Sequence, residues 1–259
     1  GDSDLSSIHE MVSITNAAMR DDALLVILCQ VPPGFTRTVE RPRECLYYQV
    51  ETLIFGSAVE RAMHPERIIV GCDRSEMELP IKLSNFLEAF ECPILPMRYE
   101  SAELAKISIN MCLAASVSVA NTMAEICENI GADWSEIMPS LRLDRRIGPY
   151  SYIAPGLGIA GGNLERDLTT VLRLADHHDT DGSVVTGWLA NSNHAKKWVY
   201  GVLAQHVLSS KPAARIAVLG LAYKENTHST KNSPSLDLLN QLNGLEVIVF
   251  DPVVKIDDI

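Results

Sequence analysis

The 259-residue chain is short of positive charge, with 22 Lys and Arg against 33 Asp and Glu and a net charge of −11. That balance argues against nucleic acid as a main partner, because a phosphate backbone is met by Lys and Arg. A phosphate-bearing ligand would need a local cluster of cations and backbone N–H groups. The six cysteines, at positions 29, 45, 72, 92, 112 and 127, form no C-x-x-C pair. They show no paired zinc spacing either, so no metal site is expected. Most lie in apolar runs and read as reduced, buried thiols of a cytoplasmic protein. There is no signal-peptide pattern and no unbroken run of about 18 apolar residues, so no membrane association is expected.

What is present is an ordinary globular composition, 47% hydrophobic and 21% charged, with ample material for a core. The length fits two domains, or three small pieces. The chain is organised around residues 100–131, which read as one long helix. Apolar residues recur there at three- and four-residue steps: Leu104, Ile107, Met111, Ala114, Val117 and Ile126, with Thr122 in the same series. Glu100 and Glu103 stand at its front, where the helix dipole favours negative charge. Gly131 follows as a C-terminal cap. About 30 residues at ~1.5 Å each make a rod of roughly 45 Å. Lys106 and Asn110 are four apart and project from one face. They fit a shared ligand or oxyanion, or else a snorkelling Lys beside an internal polar contact.

Before this helix, elements alternate. Residues 4–20 read as an amphipathic helix, 23–29 as a buried strand stopped by Val31-Pro32-Pro33-Gly34, and 50–63 as helix-like. Strand candidates follow at 67–72 and 92–97, with a helix at 79–90 between them. This alternation indicates α/β with a mostly parallel sheet. After it, 133–141 and 164–177 are helical and 184–208 reads as a further long helix. Lys211-Pro212 marks a boundary. Strand 216–219, a helix that Ser233-Pro234 starts and Gly244 stops, and strand 246–250 form a βαβ unit. A sheet of two strands is marginal alone, which points to further chain.

Residues 156–161, GLGIAG, match G-x-G-x-x-G. That pattern cradles a dinucleotide pyrophosphate only between a strand and a helix start. Here SYIAP and Pro155 precede it and no strand is evident. The stretch reads as a flexible loop whose backbone amides can approach a ligand.

Four ordered stretches, ESAELAK with Asn110, DRRIG, GLGIAGGNLERD and GLAYKENTHSTKNSPS, together resemble the UDP-glucose/GDP-mannose dehydrogenase family. The match runs from VPPG to VFDP. The resemblance implies Rossmann-like α/β domains at both ends, joined by a long central helix and a helical middle domain. It places the remainder of an NAD-binding domain at 1–98, a helical dimerisation domain at 99–209, and the start of a domain binding the UDP-sugar at 210–259. Both end domains would be incomplete. It further implies oxidation of a sugar CH2OH to a carboxylate in two hydride transfers, with NAD as cofactor, a nucleotide sugar as substrate and a homodimer as assembly.

Residue by residue, the resemblance makes Lys106 and Asn110 the pair that steadies an oxyanion. It makes Glu51 a proton-transfer or water-holding group. Asp167 matches the aspartate four residues after the nucleophile, and Arg146 an arginine that reaches the substrate. Gly156, Gly158 and Gly161 belong to the loop around the sugar, with Lys224 near the sugar nucleotide. Val31, Pro32 and Lys231 fall to the cofactor, Lys231 standing where an arginine is usual.

Three departures matter. The nucleophilic cysteine falls on Asn163, and an amide cannot form the thiohemiacetal and thioester that a thiolate forms. The glycine-rich front of the NAD domain is absent. Gln30 replaces the threonine of the Ser-Thr-Val-Pro motif. Three readings follow: a four-electron dehydrogenase, an oxidoreductase that stops after two electrons, and a nucleotide-sugar-binding protein without turnover.

Overall fold

The computed structural model describes residues 5–53 and 56–255. The fold is α/β, with parallel strand pairs and long helices, in two compact units that divide between Ile109 and Asn110. In the first unit, helix α1 (Ser6–Ala18) precedes strand β1 (Leu25–Ile27). A loop then leads to the single turn α2 (Phe35–Thr38). Strand β2 (Leu46–Gln49), helix α3 (Ala58–Met63), strand β3 (Ile68–Cys72), helix α4 (Ile81–Glu88) and strand β4 (Ile94–Arg98) follow. The strands lie in the order β1-β2-β3-β4. The outer pairs are parallel, but β2 and β3 run antiparallel.

Two expectations are corrected here. β2 was not foreseen, because LYYQ is short and no turn residues bound it on its C-terminal side. The helix expected over 50–63 is confined to Ala58–Met63, while residues 54 and 55 lie outside the described residues. Tyr47 and Tyr48 of β2 are fully buried, one towards each face of the sheet, as the two-residue period of a strand requires.

Helix α5 (Tyr99–Ile130) starts directly from β4 and spans the expected long helix. Gly131 ends it in the left-handed region, at φ 76°. Its covered face differs from expectation. Tyr99, Ala102, Ile107, Ala114, Ala120 and Cys127 are buried, whereas Leu104 and Ile126 are exposed. Small residues go inside where another backbone comes close, and periodicity alone cannot say which apolar positions those are. Cys29 and Cys112 are likewise exposed rather than buried.

In the second unit, α6 (Trp134–Leu143) packs through Trp134 against Ala120, Cys127 and Ile153. Helix α7 (Asn163–His177) and helix α8 (Ser183–Ala195) follow. The expected helix over 184–208 is broken after Ala195. Helix α9 (Trp198–Leu203) resumes it and runs into a π-helical turn at Ala204–Leu208. Neither Pro nor Gly marks the break, so no local signal announced it. Strands β5 (Ile216–Leu219) and β6 (Val247–Phe250) pair in parallel around helix α10 (Pro234–Gln241). Ser233 occupies the cap position of α10, but its buried hydroxyl makes no capping bond.

Asp251, just after β6, accepts hydrogen bonds from the N–H groups of Leu221 (2.6 Å), Ala222 (3.3 Å), Val253 (2.8 Å) and Val254 (2.7 Å). These donors hold its carboxyl down at about 2.

Candidate functional site

In the second unit Asn110, Asn163, Asp167, Gly161 and Lys231 lie around the start of α7, whereas Arg146 turns to Asp144 and Lys224 is exposed beside Tyr223. This helix presents Leu164, Leu168, Val171 and Leu172 to a core shared with Met111, Ala114 and Val185. Asp167 sits on that inward stripe and is 1% exposed. A buried carboxylate needs partners to offset lost hydration. Asn110 on α5 supplies one, its Nδ2 donating to Asp167 Oδ2 at 2.5 Å. Arg166 Nε lies 3.5 Å from the other oxygen. Asn163 is one turn before Asp167 and exposed, at the first position of α7.

The glycine stretch before α7 is irregular, with no strand in front, as expected. Its amides are less available to a ligand than expected. Gly156 N–H donates to Asn121 Oδ1 at 2.8 Å, Ile159 N–H to Ser192 Oγ at 2.7 Å, and Gly161 N–H to the Lys231 carbonyl at 2.9 Å. Close approach requires glycine at 158 and 161, where a Cβ would stand 2.6 Å from the Ser192 carbonyl oxygen and 2.9 Å from the Tyr223 ring. A Cβ on Gly162 would stand 2.7 Å from Lys231 Nζ, the movable end of a flexible side chain. Lys231, assigned from the resemblance to the cofactor, therefore lays its side chain along the entrance to α7. The Asn232 amide donates to the Gly161 carbonyl at 2.7 Å and also to the Glu165 carboxylate. Asn232 was missed in the sequence, and its left-handed backbone, φ 53°, is the local feature that sets it there.

Lys224 is exposed, with its ammonium 5.6 Å from the Tyr223 ring centre. Arg146 is exposed and folded back on Asp144, Nη2 to Oδ2 at 2.7 Å. A separate cavity of about 250 Å3 opens between the second half of α5 and helices α8 and α9, at the start of the glycine stretch. Asn121, Glu125, Gly156, His194 and Trp198 are among its walls. Among the described residues no cluster of His, Cys, Asp and Glu is arranged to hold a metal ion.

In the first unit, Lys106 is half-buried on α5, one turn before Asn110. Glu51 is half-buried in the loop after β2 and accepts from the Leu53 N–H. Val31 points into the core, 2% exposed, so a ligand at this turn would meet its backbone and Pro32 rather than its side chain. Two carboxylates at the front of α5 organise the neighbouring loop. Glu100 pairs with Arg37, which also binds Asp73 at 2.7 Å and lies over the Tyr99 ring. Glu103 is fully buried and accepts from Gly34 N–H at 2.6 Å and Thr36 N–H at 2.8 Å. Burial pushes its carboxyl up, and the amide donors offset part of that rise. The helix dipole accounts for an acid near the front of α5 but not for a buried one; a charged residue at an inward helix position is the signal for Glu103.

Known proteins resemble this chain along nearly its whole length. Residues 100–194 match the model of the UDP-glucose/GDP-mannose dehydrogenase family, central domain, and residues 217–259 match the UDP binding domain of the same family. A UDP-glucose 6-dehydrogenase of Rickettsia prowazekii (strain Madrid E) is 28% identical over 262 residues, covering 98% of this chain and 60% of the relative. UDP-glucose 6-dehydrogenase TuaD of Bacillus subtilis (strain 168) is 30% identical over 205 residues, covering 78% of this chain and 44% of the relative. A solved UDP-glucose dehydrogenase of Pyrobaculum islandicum superimposes with TM-score 0.81 at 24% identity, covering 96% of this chain and 60% of that one. At that identity the superposition speaks for the fold. The chain thus spans about three fifths of the length of the Rickettsia relative.

Proposed function

This chain belongs to the UDP-glucose/GDP-mannose dehydrogenase family, and from that premise we propose that it is an NAD-dependent nucleotide-sugar dehydrogenase, oxidising a UDP-glucose-like sugar at C6 towards the uronic acid. The observation that carries the reading is the Asn110–Asp167 bond at 2.5 Å, made across 57 residues by a buried carboxylate. One Asn110 N–H is spent on Asp167, which fixes the amide plane. The second N–H is left to face a developing oxyanion, with Lys106 one turn away adding positive charge. Glu51 holds a water or takes the alcohol proton. Gly156, Gly158 and Gly161 border the sugar, and Arg146 and Lys224 meet the nucleotide.

NAD+ supplies the acceptor for the hydride. The residues that would meet it lie at the turn of Val31 and Pro32, where neither side chain carries a charge and Pro32 and Pro33 have no N–H. Lys231, which the resemblance assigns to the cofactor, lies beside the start of α7. The domain limits 1–98, 99–209 and 210–259 belong to this reading, supported by family matches that begin at 100 and 217. Helix α5 is long and apolar enough to cross a membrane. Its buried Glu103, its Lys106 and its Asn110 bond favour a core helix of a cytoplasmic protein instead.

Val119, Met123, Ile126 and Ile130 are exposed along α5 at steps of four, three and four. Such a seam is self-complementary across a twofold axis and supports a homodimer. Ile126→Glu with Met123→Glu is expected to convert a sedimenting dimer to monomer. A variant that still sediments as a dimer would remove this face from the interface.

A second reading is favoured by Asn163, which offers no thiolate to hold the aldehyde: oxidation stopping after two electrons. Incubation with UDP-glucose and NAD+, counting NADH per sugar consumed, separates the two. Two NADH per sugar is the expected result for the uronic acid and one for the shorter reaction. Nucleotide-sugar binding without NADH would leave a non-catalytic binding protein.

A further inference from the structure

The loop between β1 and α2 carries few N–H groups that a ligand could reach. Pro32 and Pro33 have none. The Phe35 N–H donates to the Pro32 carbonyl at 3.2 Å. Gly34 and Thr36 donate to Glu103. Gly34 holds φ 93°, a backbone conformation that other residues adopt only with strain, and this aims its N–H at the carboxylate. Every backbone N–H from residue 32 to residue 36 is therefore spent inside the protein. The acceptor that takes two of them is an acidic side chain 67 and 69 residues away in sequence, with no exposed surface. A tether alone would be met by any buried acceptor. A carboxylate does something more, since it fills with negative charge the niche where a phosphate would otherwise bind.

We propose that Glu103 is a positioning residue for the cofactor: it fixes the 31–36 turn through two backbone amides and bars phosphate from them, so that the turn meets an uncharged part of NAD. The proposal rests on the dehydrogenase reading for its ligand, and on the two amide bonds for its geometry. Glu103 itself touches no substrate. Lys106 lies three residues on along α5, so the residue that shapes the cofactor turn and the proposed oxyanion cation share one stretch of helix.

The test uses the full chain with Glu103→Gln and Glu103→Asp. Gln keeps one acceptor and turns an NH2 group against the second amide. We expect Glu103→Gln to raise KM for NAD+ on the order of tenfold while KM for UDP-glucose stays within about twofold, the scale of one lost hydrogen bond confined to one ligand. Glu103→Asp, which keeps the charge, is expected to recover part of the NAD+ affinity. In 15N-labelled protein the Gly34 and Thr36 amide resonances should move in Glu103→Gln while that of Leu53 stays.

Equal changes in both KM values, or none, overturn the positioning role. Unmoved Gly34 and Thr36 resonances overturn it on their own, and this readout needs no turnover. No NADH and no NAD+ binding by the unaltered chain, with those resonances still moving in the variant, overturns the dehydrogenase reading and the cofactor role together while leaving the amide bonds in place.

Discussion

Asn163→Cys is expected to bring NADH formed per sugar to two, or to raise the rate of the second oxidation sharply if two are already formed. The second oxidation needs the aldehyde held covalently so that a second hydride can leave a tetrahedral carbon. A thiolate does this, and an amide does not. The position suits a thiolate, because it is the first residue of a 15-residue helix whose positive dipole end stabilises a negative sulfur. The Lys231 ammonium lies 2.7 Å from where a Cβ on the preceding Gly162 would stand, close enough to add to that effect. Counting NADH against sugar in the variant and the unaltered chain gives the answer. If the variant binds both ligands and its NADH count and rate do not change, the missing thiol is not what limits the reaction.

Asn110→Ala is expected to lower kcat by on the order of 10²–10³, the usual effect of deleting one donor to a developing oxyanion. It also leaves the buried Asp167 short of a partner, at a stability cost of about 1–3 kcal/mol. These effects separate experimentally. Asp167→Asn keeps a hydrogen-bonding group beside Asn110 but removes the charge, so chemical denaturation should report a smaller loss than for Asn110→Ala. A kcat for Asn110→Ala within about threefold of the unaltered chain would remove Asn110 from the oxyanion role, whatever the denaturation midpoint.

Helix α5 was legible because three local signals agree: a 3.6-residue apolar period, acids at the front and Gly131 behind. Which side of it would be covered was not, because that depends on neighbours. Ala102, Ala114 and Ala120 are buried where other segments come close, while the larger Leu104 and Ile126 stay outside. β2 hid for a similar reason, since four residues give no measurable period and its partners lie 20 or more residues away. Asp167 could be found without any resemblance, as an acid one residue before Leu168 on the stripe that Leu164 and Val171 define. Glu103 could be found by the same rule. Its two amide partners could not, because nothing in VPPGFT says which distant acceptor its turn will meet.

The Asp251 carboxylate has a consequence for the small sheet. It joins the exit of one strand to the exit of its neighbour, so a single anion serves as the keystone of the βαβ unit. The segment that leaves β5 through Leu221 and Ala222 cannot shift without dragging the turn at Val253 and Val254 along. Lys224, two residues past Ala222, is consequently placed by the far strand as much as by its own.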